Sequence, residues 1–214
     1  MRISGGQVFD LQRGFVSRDV CFDGELLSEG CTGGEVYDAT GCYVIPGLTD
    51  LHFHGCMGAD FSDADAEGLE TMAKYELSRG VTQICPAGMT LLEEQLIKVC
   101  TVAADHRDAN RPGAELVGIN LEGPFLSMAK KGAQNGDWLH KPDVAMYRRL
   151  AEAGRGLVKL VSLAPEEPGA MEFIDELHDE VVISVAHTTA DYDTALEAYK
   201  RGAREATHLF NAMP

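Results

Sequence analysis

The chain has 214 residues, of which 34 are acidic and 18 are basic, so its formal net charge is −16 at pH 7. With 45% hydrophobic and 24% charged residues it has the composition of a folded protein, which excludes intrinsic disorder. The negative charge and the lack of a long basic cluster argue against nucleic-acid binding. A small anionic ligand stays possible, because a metal ion or a few local donors can set the field inside a pocket.

The cysteines and the N-terminal segment bear on the cellular compartment. The six cysteines, at positions 21, 31, 42, 56, 85 and 100, form no C-x-x-C pair, and we interpret them as reduced packing residues. The chain begins without the apolar region of a signal peptide, and no segment reaches the roughly 18 consecutive apolar residues of a membrane helix. The sequence therefore predicts a cytoplasmic protein without a membrane partner.

The hydrophobic pattern divides the chain into two regions. Residues 1–43 hold short β-like runs broken by glycine-rich turns, which predicts a small N-terminal β element. Over residues 44–214 apolar runs alternate with helical patterns, as in a parallel sheet covered by helices. The predicted strands are Tyr43–Leu51, Val81–Pro86, Leu116–Leu121, Val158–Leu163, Val181–Ala186 and Glu205–His208.

Helix starts are predicted by two capping boxes. Ser62-x-x-Asp65 and Thr90-x-x-Glu93 each pair a hydroxyl with a carboxylate three residues later, which satisfies the free N–H groups of a first helical turn. Six βα units then fit either an open doubly wound sheet or a (β/α)₈ barrel of the TIM type. A full barrel takes about 250 residues, and the chain stops directly after a predicted strand. We therefore predict an incomplete barrel, truncated at its C-terminus.

Polar residues that can bind metal stand at the ends of four predicted strands. His52 and His54 follow the first strand and, with a period of two, project to the same side. Glu122, His187 and His208 end three later strands. Singly, each has an ordinary explanation as a loop or hydrogen-bonded core residue. Together they lie at the edge where barrel enzymes keep their active sites, which favours a metal centre.

The residue types at this edge indicate the chemistry. Imidazole and carboxylate ligands suit Zn²⁺, Fe²⁺ or related ions, and such a centre supports metal-assisted hydrolysis. His106, His140 and His178 lie among charged neighbours in helical or loop segments, and we interpret them as solvated. No glycine-rich nucleotide-binding loop is present in the sequence.

Several strings resemble one known family. The segment from Pro46 to Gly55 is similar to the first-strand signature of the amidohydrolase superfamily. Within it, the resemblance is to the N-acetylglucosamine-6-phosphate deacetylase family and covers the chain from about residue 40 to its end. The narrower motifs are Leu121-Glu122-Gly123-Pro124-Phe125, Lys131-Gly132-Ala133, Ala186-His187 and Ala206-Thr207-His208-Leu209-Phe210-Asn211-Ala212-Met213.

The resemblance implies roles for nine residues. Glu122, His187 and His208 correspond to ligands of a divalent metal, and His52 and His54 to a pair that binds a second ion in some members. The implied substrate contacts are Ala133, Gln134, Asn211 and Ala212. The implied reaction removes acetate from N-acetylglucosamine 6-phosphate and leaves glucosamine 6-phosphate. The implied partners are this small molecule and, for the full-length protein, a second copy in a homodimer.

The sequence departs from the family in two places. The family usually has histidine, in contact with the sugar phosphate, where Gln134 stands; glutamine can donate a hydrogen bond but cannot carry a charge. The family's catalytic aspartate lies on a later strand, so we expect the general base beyond Pro214. The alternatives are another C–N hydrolase of the superfamily, which would commonly need a modified lysine instead of Glu122, or a non-catalytic metal-binding fragment.

Overall fold

The computed structural model describes residues 1–30, 33–211 and 213, and it divides into two compact units, Met1–Gly47 and Leu48–Pro214. The first unit contains two small sheets, with strand orders β5-β4-β1-β6 and β3-β2-β7. The predicted boundary after residue 43 lies within its last strand. The strands are β1 (Arg2–Ser4), β2 (Gln7–Asp10), β3 (Gly14–Ser17), β4 (Val20–Asp23), β5 (Leu26–Ser28), β6 (Val36–Asp38) and β7 (Tyr43–Val44).

The second unit alternates strands with helices. Its strands are β8 (Leu48–Asp50), β9 (Gly55–Cys56), β10 (Ala59–Asp60), β11 (Val81–Ile84), β12 (Ala87–Gly88), β13 (Glu115–Leu116), β14 (Ile119–Phe125), β15 (Val158–Leu163), β16 (Val182–Val185) and β17 (Glu205–Ala206). Its helices are α1 (Ala66–Ser78), α2 (Glu93–Asp108), α3 (Val144–Ala153), α4 (Ala170–Leu177) and α5 (Tyr192–Arg201). Among the described residues, no helix is both long and apolar enough to cross a membrane.

The strands of the second unit form a parallel row in chain order. Strand β8 pairs with β11, and β11 pairs with β13. Strand β12, which follows β11 along the chain, pairs with β14, and the row continues through β15, β16 and β17. All these pairings are parallel, with helices in the connections. This is the arrangement of consecutive βα units in a barrel.

The two faces of this row differ in chemistry because successive side chains alternate. Val161 and Ile183 belong to the apolar core that includes residues of the surrounding helices. Their neighbours Ser162 and Ser184 are fully buried, and both hydroxyls contact Thr207 on the last strand, at 3.3 and 2.8 Å between oxygen atoms. The face turned away from this apolar core is therefore polar.

Two predicted strands differ from the observed ones. The run from residue 43 to 51 is broken at Pro46-Gly47, where proline removes a backbone donor, so that β7 and β8 are separate. The run predicted as Leu116–Leu121 is interrupted after Leu116, and β14 continues through Gly123-Pro124 to Phe125. Glu122 therefore lies inside a strand rather than at its end.

Both predicted helices exist, but their caps differ from the predicted ones. Asp65 is itself the N-cap of α1, and its carboxylate accepts the Gly68 N–H at 2.9 Å. The N-cap of α2 is Leu92, whose N–H donates to the side chain of Gln95. Thr90 does not cap α2, because its N–H is used elsewhere, by Gln134.

Two further expectations were wrong. His106 is buried, with 4% of its surface exposed, because it lies on the face of α2 that packs inward. Its solvated assignment fails, whereas His140 is exposed as expected. Cys21 in β4 is disulfide-bonded, so the cysteines are not all reduced; Cys42, Cys56, Cys85 and Cys100 are free.

Candidate metal centre

Four histidines and one glutamate meet at the C-terminal edge of the parallel row. His52, His187 and His208 each stand two residues beyond the end of a strand, β8, β16 and β17 respectively, and His54 follows His52. Glu122 projects from within β14. Because parallel strands all end at the same edge, residues that are far apart in the chain come together here.

Glu122 lies at the centre of this group. Its side chain is buried, and its Oε1 atom lies 2.6 Å from His208 Nε2, 3.0 Å from His187 Nε2 and 3.5 Å from His52 Nε2. Its Oε2 atom lies 2.9 Å from His54 Nε2. One ligand atom from each of His52, Glu122 and His208 lies within 4.8 Å of the others, a spacing that suits a metal ion. The structure thus brings all five predicted ligands together.

Gly123 lets the strand that carries Glu122 pass close to a neighbouring loop. Its φ angle is +115°, in the region that favours glycine. A Cβ atom at this position would lie 2.2 Å from Thr90 Oγ1, well inside van der Waals contact. The backbone next to Glu122 is therefore fixed by a close approach that only glycine permits.

Backbone carbonyls orient two of the imidazoles. His54 Nδ1 lies 2.9 Å from the Ala87 oxygen, and His187 Nδ1 lies 2.8 Å from the Lys130 oxygen. Because a carbonyl can only accept, each Nδ1 carries a proton. When neutral, both rings therefore turn a lone pair on Nε2 toward a carboxylate oxygen of Glu122. Two acceptors at such distances repel each other unless a proton or a cation lies near them.

This arrangement fits a divalent ion. A histidine that binds metal through Nε2 usually donates its other N–H to a carbonyl or carboxylate, as His54 and His187 do. The donor set of imidazole nitrogen and carboxylate oxygen is one that divalent transition ions prefer. His52 Nε2 is buried and has no hydrogen-bond partner among the described residues, as expected for a ligand atom.

The electrostatics of the metal-free centre hold Glu122 in its charged form. Burial raises the pKa of Glu122, but hydrogen bonds from His187, His52 and His54 outweigh it and place the pKa well below its usual range. The hydrogen bond to Glu122 raises the pKa of His54. For His187, burial lowers the pKa, and the bonds to Glu122 and the Lys130 carbonyl more than offset this, so the net shift is upward. The centre thus combines a carboxylate with rings that hold protons in place of a cation.

Two residues that sequence reasoning did not assign to the site support His52. Asp50 accepts the His52 N–H at 2.9 Å, which fixes the backbone directly after β8. The Nδ2 group of buried Asn120 donates to the Leu51 carbonyl at 3.1 Å and lies 3.3 Å from His52 Nδ1. Asn120 precedes Glu122 by two positions on β14, so strand alternation placed both on one face and was the available signal.

The predicted substrate contacts occupy different environments. Gln134 is buried, and its amide lies between the Thr90 N–H and the Glu122 carboxylate. Ala133 and Asn211 are exposed, and the Asn211 N–H donates to the His208 carbonyl. Ala212 lies outside the described residues.

The family is defined by a match over most of the chain. The model of the Amidohydrolase family matches residues 43–214, and the chain belongs to this family. Within it, the chain is 38% identical over 174 residues to N-acetylglucosamine-6-phosphate deacetylase of Bacillus subtilis (strain 168), a match that covers 79% of this chain and 44% of that protein.

Solved structures give the same result. The crystal structure of N-acetyl-D-glucosamine-6-phosphate deacetylase from Mycobacterium smegmatis matches with a TM-score of 0.87 at 28% identity, covering 99% of this chain and 56% of that one. A mutant of that enzyme in complex with N-acetyl-D-glucosamine-6-phosphate matches with a TM-score of 0.81 at 29% identity, covering 100% and 56%. These comparisons confirm the predicted family resemblance and the incomplete barrel. The chain spans about half the length of the curated relatives it matches.

Proposed function

We propose that this chain supplies the metal-binding part of an N-acetylglucosamine-6-phosphate deacetylase. The reaction hydrolyses the acetamido group of N-acetylglucosamine 6-phosphate to glucosamine 6-phosphate and acetate. The observation that carries the proposal is the convergence of four imidazoles on buried Glu122 at the C-terminal edge of the parallel row. The relatives of the same name support the choice of substrate.

In this proposal the five residues are ligands. Glu122, His187 and His208 hold one divalent ion, Zn²⁺ or Fe²⁺, and His52 and His54 hold a second, with Glu122 between them. When bound, such an ion supplies electrophilic polarisation of the scissile amide. The chain's own part is to hold the ligands: the carbonyls of Ala87 and Lys130 orient two imidazoles.

The remaining roles rest on the resemblance. Ala133, Asn211 and Ala212 are proposed to contact the sugar phosphate. The general base is proposed to be an aspartate beyond Pro214; Asp50, the carboxylate nearest His52 in sequence, already accepts the His52 N–H. A homodimer of the full-length protein and a cytoplasmic location are proposed on the same ground.

The test compares two proteins in an assay of acetate release from N-acetylglucosamine 6-phosphate with added Zn²⁺ or Fe²⁺. One is this chain alone, and the other is the chain fused to the part of the Bacillus subtilis relative that follows the matched region. We expect turnover by the fusion and only metal background by the chain alone, because an acid or base contributes about 10²–10⁴-fold to such a step. A folded, metal-loaded fusion without turnover would contradict the proposal, and turnover by the chain alone would place the base within residues 1–214.

A matched pair of variants separates the centre from general effects. Glu122→Gln in the fusion removes the buried carboxylate charge, and Glu152→Gln makes the same change on the exposed surface of α3. Loss of an outer-shell partner alone costs about 10–100-fold in metal affinity or activity, so loss of the central ligand should cost at least that much. Glu152→Gln should leave turnover unchanged. Equal activity of the two variants would rule out Glu122 as a ligand.

A further inference from the structure

The side-chain amide of Gln134 is held at both of its polar atoms. Gln134 is 2% exposed, and its Oε1 accepts the Thr90 N–H at 2.6 Å. Its Nε2 donates to Glu122 Oε2 at 3.0 Å and lies 3.7 Å from Met89 Sδ. The carbonyl oxygen and both N–H directions of the amide thus face groups of the protein itself.

The partners determine which way the amide points. The backbone N–H of Thr90 can only donate, so the atom facing it must be the oxygen. The ionised carboxylate of Glu122 can only accept, so the atom facing it must be the nitrogen. A flipped amide would place two donors together at one end and two acceptors at the other, which costs buried hydrogen bonds at both.

The loop that orients Gln134 is itself in close contact with the strand that carries Glu122. Thr90 Oγ1 lies where a side chain on Gly123 would be, 2.2 Å from the position of an added Cβ. Thr90, Gly123 and Glu122 are thereby held together, and Gln134 connects the loop to the carboxylate. The direction of the hydrogen bond to Glu122 is set by backbone rather than by a mobile group.

This bond makes the two oxygens of Glu122 different. Oε2 accepts from Gln134 and lies next to His54, whereas Oε1 faces the Nε2 atoms of His187 and His208. We propose that Gln134 is a positioning residue that fixes the rotation of the Glu122 carboxylate and so presents Oε1 to the metal. It then acts through Glu122 and not by contact with the substrate phosphate. The inference rests on the metal centre of the proposed function.

The test measures metal affinity without substrate, in this chain and in the fusion, by competition of Zn²⁺ with a chromophoric chelator. Gln134→Met has a similar volume but can neither donate to Glu122 nor accept from Thr90. Gln134→Glu keeps an acceptor for Thr90 and turns an oxygen toward Glu122 in place of the donor. Gln12→Met, at an exposed turn of the first unit, is the matched control.

Both Gln134 variants should bind Zn²⁺ about 10–100-fold more weakly, as is typical when an outer-shell partner is lost, and Gln12→Met should bind as the unchanged chain does. The absorption bands of bound Co²⁺ should shift in the Gln134 variants as the carboxylate rotates. Affinity within twofold of the unchanged chain in a folded variant overturns the inference. If neither variant folds, by circular dichroism, Gln134 supports the fold rather than the carboxylate, and the inference also fails.

The same experiment distinguishes this inference from the proposed function. If the unchanged chain and the fusion bind no Zn²⁺, the metal centre itself is refuted. If they bind Zn²⁺ tightly and the Gln134 variants do so equally, only the positioning role is refuted. A variant with unchanged Zn²⁺ affinity and a raised KM in the fusion would instead assign Gln134 to the substrate, as the family resemblance implies.

Discussion

His208 Nε2 lies 2.6 Å from Glu122 Oε1, although the two residues are 86 positions apart and their strands are not neighbours. Strand β17, which precedes His208, is separated from β14 by β15 and β16. Three steps of about 4.8 Å would place two such strands roughly 14 Å apart in a flat sheet. The contact therefore requires a curved row of strands whose polar side chains point to the inside of the curve.

The curvature carries a prediction about the number of ions. His52 and His54 approach Glu122 through different oxygens, Oε1 and Oε2, so the carboxylate can lie between two ions. We expect about two equivalents of metal in the fusion by elemental analysis, and about one after His52→Ala with His54→Ala, because the Glu122, His187 and His208 set remains. One equivalent before and after the double substitution would reject a second site.

The control for that measurement is His140→Ala. His140 is exposed and is also a histidine, so its removal tests whether metal is lost simply because the protein has fewer imidazoles. The metal content should be unchanged. A drop equal to that of the double variant would indicate metal bound nonspecifically at the surface.

The general plan of the fold could be read from the sequence because it depends on hydrophobic periodicity. Buried parallel strands give continuous apolar runs, and the run Val158–Leu163 coincides with β15. The alternation of such runs with helical patterns was enough to predict consecutive βα units. The polar residues that follow these runs identified the edge at which the candidate ligands lie, although their role as ligands stays a prediction.

Other features could not be read because they depend on partners far away in the chain. Gly123-Pro124 is normally a turn signal, yet β14 continues through it, because the glycine allows close contact with Thr90. Thr90 itself has the form of a helix cap, but its N–H is satisfied by Gln134, 44 positions away. The burial of His106 depends likewise on which face of α2 packs inward.

Gly123 should tolerate no larger side chain. Gly123→Ala adds a Cβ at 2.2 Å from Thr90 Oγ1 and at a φ of +115°, so we expect a loss of about 1–3 kcal/mol in the free energy of unfolding from overpacking, with further strain from φ. The measurement is urea unfolding followed by circular dichroism. Metal affinity should fall as well, because Glu122 is the adjacent residue.

Gly156→Ala is the matched control for this change. Gly156 also has a positive φ, +82°, but an added Cβ there would meet nothing within 4 Å. It should therefore show the backbone strain without the clash and leave metal affinity unchanged. If the two variants lose equal stability, the close approach of Thr90 to Gly123 contributes nothing and the account of this strand is wrong.

The buried thiols of the second unit give a prediction that depends on pH. Burial raises the pKa of Cys85 and of Cys100 to about 12, whereas Cys42 is exposed. Only the thiolate reacts with alkylating reagents, so at pH 8 a thiol of pKa 12 is reactive in only about 10⁻⁴ of molecules. Labelling with iodoacetamide, mapped by mass spectrometry, should therefore modify Cys42 at least about 100-fold faster than Cys85 or Cys100.

The same shifts make the folded chain less stable at high pH. Because the pKa of each thiol is higher in the folded than in the unfolded state, the stability they contribute is complete below the unfolded pKa of about 8.5 and is lost as the pH rises toward 12. The urea midpoint should fall between pH 8.5 and about 11 as unfolded thiols ionise. In guanidinium chloride all cysteines should label at similar rates, which confirms that burial, not sequence, protects them. Labelling of Cys85 at the rate of Cys42 in the folded chain would show that this strand opens to solvent, and would contradict the packing of β11 against α1 described by the structure.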